Sequence, residues 1–288
     1  MKKHTSILSS CTQFLLVLSL GVSSSSVLAQ DIPVGALANK PVVDGSAADW
    51  SQTEGTRISL KNNKSGGKTN VSGIDVKAGV HGDRVYFLLQ WDDDDMDDQH
   101  KPYVWDSASN KYVAGDQRED RLAIQFAISG DYDVNWLSGK LFSADTWHWK
   151  AARSNPLGIA HDKSTIISSE KAKKSYTGKA DDGSTVYIQR PSDEGDKLYK
   201  TKRYPSKEKD MMPKYILAST VSGSVADVEA RGVWENGRWT LEMSRKMNTG
   251  NPDDAAFMVS QSIKGGIAVF DRSGDDDHGI SEILNFQF

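Results

Sequence analysis

The sequence predicts an all-β protein, an antiparallel β-sandwich carrying a polar insertion. Three observations predict it. Seven or eight short segments alternate apolar and polar residues or run as aromatic and β-branched stretches. Asn236-Gly237, the commonest two-residue hairpin chemistry, stands between two of them. No segment carries the 3.6-residue apolar period of an amphipathic helix, and short strands of this number favour a sandwich.

In chain order, the first 29 residues read as a Sec-type leader. Lys2 and Lys3 are its positive start, Phe14 to Leu20 its apolar centre, and Val27-Leu28-Ala29 its small-residue end, so cleavage is expected after Ala29. The apolar run is far below the roughly 20 residues that span a bilayer, and no later stretch is long and apolar enough. The expectation is export to the periplasm, with residues 30–288 as one domain. Cys11 is the single cysteine and falls in the leader. The remaining chain has no disulfide, no thiolate metal site and no Cys-x-x-Cys-His for covalent haem. About 260 residues bury one sizeable core without such staples.

Residues 31–50 hold Val42-Val43-Asp44-Gly45 and Asp49-Trp50, a strand end and a turn. Residues 55–72 are polar and glycine-rich, a loop or ragged hairpin. Ile74, Val76 and Ala78 then alternate with Asp75 and Lys77, as in a half-buried strand. After the Gly82-Asp83 turn, Val85 to Trp91 is a strong strand, and Leu122 to Ile128 is another. Thr146 to Ala151 alternates again. Val233-Trp234 and Trp239 to Met243 flank the Asn-Gly turn, and Gly266 to Phe270 and Ile283 to Phe288 close the series. Residues 155–215 are Lys-rich and polar, and are expected to lie outside the sandwich as a lid or excursion.

Without Lys2 and Lys3 the chain has 33 basic and 39 acidic residues, a net charge of −6. That argues against nucleic acid and against an anionic membrane surface as partners.

Three constellations stand out. Asp92-Asp93-Asp94-Asp95-Met96-Asp97-Asp98 reads as a solvated loop after a strand. Its second reading is a set of hard oxygen ligands for calcium, although EF-hand spacing is absent. In Thr146-Trp147-His148-Trp149-Lys150, the period of two puts Trp147 and Trp149 on one face and His148 and Lys150 on the other. The indoles either belong to the core or wall a flat cofactor or sugar ring. In Phe270 to Ser281, His278 follows a buried strand and reads as a polar loop residue or as a ligand to a metal or haem iron. There is no Gly-x-Ser-x-Gly, no His-Glu-x-x-His and no phosphate-binding glycine loop, so a binding or electron-transfer role is expected rather than catalysis.

Several stretches together resemble one family. They are Tyr86-Phe87-Leu88-Leu89-Gln90-Trp91-Asp92-Asp93, Asp120-Arg121-Leu122-Ala123-Ile124-Gln125-Phe126 and Asp145 to Arg153 followed by Pro156, Gly158 and Asp162. Gly237-Arg238-Trp239-Thr240 and Ala268-Val269-Phe270-Asp271, running on to His278-Gly279-Ile280-Ser281, complete the set. From about Val42 to Phe288 the chain resembles the haem-binding domain of the ethylbenzene dehydrogenase and dimethylsulfide dehydrogenase gamma subunits. The resemblance implies a periplasmic β-sandwich holding one non-covalent haem b in an electron-transfer role. It also implies a redox partner, either a molybdoenzyme-like complex or a cytochrome. The gamma subunits hold their iron with a lysine and a methionine. The lysine lies three residues before a serine, the place that His278 takes before Ser281. The methionine is expected near Asn135 to Gly139, where this chain has none. The second position then falls to His148, to Met96 or to no residue, with Trp147 and Trp149 lining the cofactor. Val43-Asp44-Gly45 with Asp49-Trp50 also resembles family 9 carbohydrate-binding modules. This rival resemblance implies a sugar- or calcium-binding module whose tryptophans stack on sugars.

Overall fold

The computed structural model describes residues 29–63, 67, 69–275 and 277–288. The leader with Cys11, and Asp276, lie outside the described residues. The first strands are β1 (Gln30–Pro33), β2 (Gly35–Ala36), β3 (Thr56–Ser59), β4 (Lys61–Asn62), β5 (Gly73–His81), β6 (Arg84–Asp92), β7 (Tyr103–Asp106) and β8 (Lys111–Ala114). Next come β9 (Arg121–Gly130), β10 (Phe142–Lys150), β11 (His161–Ser168), β12 (Tyr176–Lys179), β13 (Thr185–Gln189), β14 (Tyr199–Thr201), β15 (Met211–Met212) and β16 (Tyr215–Leu217). The last are β17 (Glu229–Glu235), β18 (Arg238–Lys246), β19 (Ser262–Phe270), β20 (Gly279–Ile280) and β21 (Leu284–Gln287). Among the described residues the helical elements are short 3-10 turns, and no helix is long and apolar enough to cross a membrane.

The chain is all-β, and its two main sheets pack face to face. The larger runs β1-β21-β19-β9-β10-β11-β13-β12, with β20 beside β19 and β4 beside β20. The smaller runs β17-β18-β6-β5-β2, with β3 also on β5. Strand alternation sets the core between them. Val85, Phe87, Leu89 and Trp91 of β6 and Leu241 and Met243 of β18 meet Leu122, Ile124 and Phe126 of β9 and Trp147 and Trp149 of β10, all essentially inaccessible to water. Each such side chain contributes about 1.5–3 kcal/mol by leaving water. The Asn-Gly turn is as expected: Asn236 and Gly237 both take positive φ, 52° and 77°, as a type I′ turn between twisted strands requires.

The segment from Val42 to Trp50 is fastened by one buried side chain. Glu242 Oε2 accepts the amides of Asp44 and Gly45 at 3.0 and 2.8 Å, and Oε1 accepts Trp50 Nε1 at 2.7 Å. The Asp-Gly and Asp-Trp pairs that resemble a carbohydrate module thus form a structural clasp around a carboxylate.

The Lys-rich region differs from expectation. β11, β13 and β12 extend the large sheet instead of lying outside it. Their polar residues alternate with Ile167, Val186 and Ile188, which join Tyr132, Phe142 and Ala144 in a second small core. Beyond β13 the chain does leave both main sheets, where β14 pairs with β16, and β15 joins β7 and β8.

Candidate functional site

The two faces of β10 have separate fates. On the inner face Trp147 packs against Phe87, Phe126 and Phe257 with ring centroids 5.7, 5.1 and 6.0 Å away. Trp149 packs against Trp239 at 4.9 Å and Trp91 at 6.1 Å, and its Nε1 donates to Asn155 Oδ1 at 3.0 Å. Both indoles are fully buried. They are core residues, not the wall of an open cofactor or sugar site, because their strand face points at the opposite sheet.

The outer face of the same sheet is also covered, but by polar groups. One register row runs Ile280, Ala268, Ala123, His148, His161 across β20, β19, β9, β10 and β11. The next row is Phe270, Arg121, Lys150. Beyond the first row on its other side, Gln125 Nε2 donates to Thr146 Oγ1 at 2.9 Å and Thr165 Oγ1 at 2.8 Å, and Gln125 Oε1 accepts from Tyr132 and Trp136. Along the first row the face is left partly open at Ala123, Ala268 and Ile280, which are half-buried.

His148 sits in this row, 3% exposed, and its Nε2 has no hydrogen-bond partner. Burial drives its pKa well below the ordinary value, and the neighbouring Lys150, Arg190 and Arg121 push the same way. The ring is therefore a neutral imidazole with a lone pair available. Lys150 Nζ lies 2.8 Å from His161 Nδ1, and His161 Nε2 lies 2.8 Å from Ser192 Oγ. With Lys150 donating, Nδ1 accepts and Nε2–H is left for Ser192, a tautomer fixed by its partners. Burial lowers the pKa of Lys150 strongly, with Arg153 and Lys163 adding to it.

Phe270 lies between the two histidines singled out by the sequence. Its ring is 6.1 Å from His148 and 4.6 Å from His278. The Arg121 guanidinium covers the same ring at 4.2 Å. Arg121 also fastens the loop that carries His278, bonding Asp275, the Ser273 carbonyl at 2.9 Å and the Gly274 carbonyl at 3.2 Å. His278 itself is half-buried, and its backbone exchanges hydrogen bonds with Asn63: its N–H meets Asn63 Oδ1 at 2.9 Å, and its carbonyl takes the Asn63 amide at 3.0 Å. Downstream, Ser281 is locked to Ile267 through backbone and hydroxyl.

The acidic run divides. Asp92 pairs with Arg238, and Asp95 and Asp97 with Arg272. Asp94 and Met96 point to solvent. Asp93 turns inward beside Asp120 and Asp271, with one carboxylate oxygen of each within 4.8 Å of the others.

A groove of about 430 Å³ lies elsewhere, lined by His100, Arg153, Met212, Lys214 and Tyr215 among others. His100 Nδ1 is 3.3 Å from the buried Glu119, yet burial and the nearby Arg153 push its pKa down to about 3. Sequence reading did not single out His100 or His161, and it placed Lys150 beside His148 without giving it a role. Only Lys150 shared a motif with a named candidate.

Comparison with known families decides the classification. Residues 47–281 match the ethylbenzene dehydrogenase family. The chain belongs to that family. No curated protein sequence matches it. Among solved structures, the chain is similar to a family 9 carbohydrate-binding module from Caldicellulosiruptor kristjanssonii in complex with glucose, at 10% identity and TM-score 0.40, covering 88% of this chain and 85% of that one. The same module with cellotriose gives 9% and 0.42, covering 90% and 93%. A putative carbohydrate-binding protein from Bacteroides uniformis gives 9% and 0.41, covering 88% and 90%. For this member of the ethylbenzene dehydrogenase family, the strands that carry the family stretches, β6, β9, β10, β18 and β19, are also the centre of the two sheets.

Proposed function

We propose that this member of the ethylbenzene dehydrogenase family is an exported, non-catalytic electron-transfer protein that binds one haem b on the outer face of its large sheet and passes electrons to a redox partner protein. The observation that carries the proposal is His148: a buried, neutral imidazole with an unpartnered Nε2. It is set in a row with the small side chains of Ala123 and Ala268 and across Phe270 from His278. This donor chemistry fits haem iron, which takes a neutral imidazole. A bound haem b would supply a one-electron iron couple at this place. His148 and His278 are the residues that would hold it, which requires the Phe270 ring to move from between them, and Lys163 and Arg190 offer positive charge to its carboxylates. Trp147 and Trp149 have no part in the contact, since they lie under the sheet. Their burial also removes the stacking platform of a carbohydrate module.

The test is reconstitution of the purified protein with haemin. A Soret band that shifts on dithionite reduction is expected. His148→Ala should weaken haem binding by at least about tenfold, the scale of one lost bond of 1.4 kcal/mol or more, and His278→Ala should change the axial-ligand bands. A wild-type protein that stays colourless, or a His148→Ala variant with unchanged Soret and α bands, would overturn the assignment. Export belongs to the same reading. A mature N-terminus at Gln30, seen by mass spectrometry, is its expected mark.

A further inference from the structure

The base of the His278 loop carries a second feature, independent of haem. Asp93 follows β6, Asp120 precedes β9 and Asp271 follows β19, so three strand ends deliver three carboxylates to one point. All three residues are at most 5% exposed. We propose that Asp93, Asp120 and Asp271 hold a divalent cation of the calcium class, tying the base of the His278 loop to β6 and β9.

Two observations carry this beyond a mere gathering of acids. Asp93 Oδ2 is buried with no hydrogen-bond partner, a costly state for a carboxylate oxygen. The local charge is also only partly compensated. Asp93, Asp95, Asp97, Asp120 and Asp271 share one guanidinium among the described residues, that of Arg272. It reaches Asp95, Asp97 and Asp271 from the half-exposed side. The carboxylates are otherwise held by N–H donors, with at least one oxygen of each taking no more than one of them. Asp120 Oδ2 takes the Asp97 amide at 2.8 Å and Trp239 Nε1 at 3.1 Å, and its Oδ1 takes the Arg272 amide at 3.2 Å. Asp271 Oδ2 takes the Asn70 amide at 3.4 Å, and Asp93 Oδ1 the Asp95 amide at 3.3 Å. An all-oxygen set selects a hard cation. Calcium accepts such carboxylate-rich, irregular shells of about 6–8 oxygens, whereas magnesium demands a near-octahedral one and retains water.

Terbium, a luminescent calcium substitute, is the direct probe. Trp239 is bonded to Asp120, and Trp234 Nε1 donates to the Asp93 carbonyl at 2.9 Å, so indole excitation should sensitise bound terbium. Saturable emission displaced by calcium is expected in the chelator-treated protein. It should be lost in Asp93→Asn and Asp271→Asn and kept in Asp94→Asn, whose side chain faces solvent. Calcium should also raise the melting temperature of the wild type above its value in chelator, a reading that needs no variant to fold. The proposal is overturned if emission is absent, if it survives Asp93→Asn, if Asp94→Asn removes it equally, or if the melting temperature ignores both calcium and chelator.

Discussion

Two aspartate triads are buried at the two ends of the tryptophan row, and they are neutralised differently. At one end Asp145, Asp162 and Asp254 surround Arg245, whose Nη1 lies 2.7, 3.3 and 3.0 Å from their oxygens. Arg245 is itself inaccessible, lies over Trp147 at 5.0 Å and donates to the Ala255 carbonyl at 2.7 Å. At the other end Asp93, Asp120 and Asp271 converge with no cationic side chain at their centre among the described residues. Arg245 offsets burial without cancelling it: Asp145 still rests at about 6, and Asp162 stays well above the ordinary carboxyl range. The lesson is that a fold can bury the same three carboxylates in two ways. One brings its own cation in the sequence, and the other is left to take one from solution.

The largest break in that comparison is Arg245→Met. Removing one partner of a buried ionic group while leaving the others costs about 3–5 kcal/mol, so the urea midpoint should fall sharply in calcium and chelator alike. Calcium should come next. At a hundredfold excess over its Kd a specific ligand adds about 2.7 kcal/mol, which thermal melts with and without chelator would read.

The pH dependence sharpens the same contrast. Asp93 and Asp120 are raised from 3.8 to about 7 and about 8 in the folded chain. Well below pH 3.8 each is protonated folded and unfolded alike, and contributes no difference. As pH rises through that window the unfolded chain releases these protons first, so their contribution to stability falls towards pH 8. Calcium-free protein should show this loss in denaturant titrations between pH 5 and 8, and calcium should flatten it. A smaller effect is expected for Asp93→Asn in chelator, because its amide nitrogen can take the place of the oxygen that has no donor. Relieving a repelled buried charge should be neutral or stabilising by about 1 kcal/mol at pH 8, the opposite sign to Arg245→Met. Least of all, Asp94→Asn should stay within about 0.5 kcal/mol of wild type.

Much of the fold was legible in the residues. Period-two alternation located β5 and β10, apolar, aromatic and β-branched runs located β6, β9, β18 and β19, and Asn236-Gly237 located the hairpin. The same period put Trp147 and Trp149 opposite His148 and Lys150. It did not reveal that both faces are buried, because what covers the outer face, from Tyr132 to Trp136 and Arg190 to Ser192, comes from other parts of the chain. The region after Asn155 read as an excursion since its Lys and Ser content masked β11 and β13, whose few apolar residues have partners in the loop and strand from Tyr132 to Ala144. The acidic run drew attention to seven neighbours, but only Asp93 turns into the triad. Its companions Asp120 and Asp271 lie far off in sequence, where only the register of three strand ends joins them.

The pairing at the edge of the large sheet bears on how the chain reaches this state. β1 lies parallel to β21, Gln30 beside Leu284, and Asn285 donates to Asp31 across 254 residues of sequence. That edge cannot zip until nearly the whole chain is in place, and a closure of such length carries a loop entropy that only the final contacts repay. Sheet assembly of this kind is slow and end-dependent. Trimming Leu284 to Phe288 should therefore leave β1 without its neighbour, and refolding of the trimmed chain should yield an exposed strand edge prone to self-association.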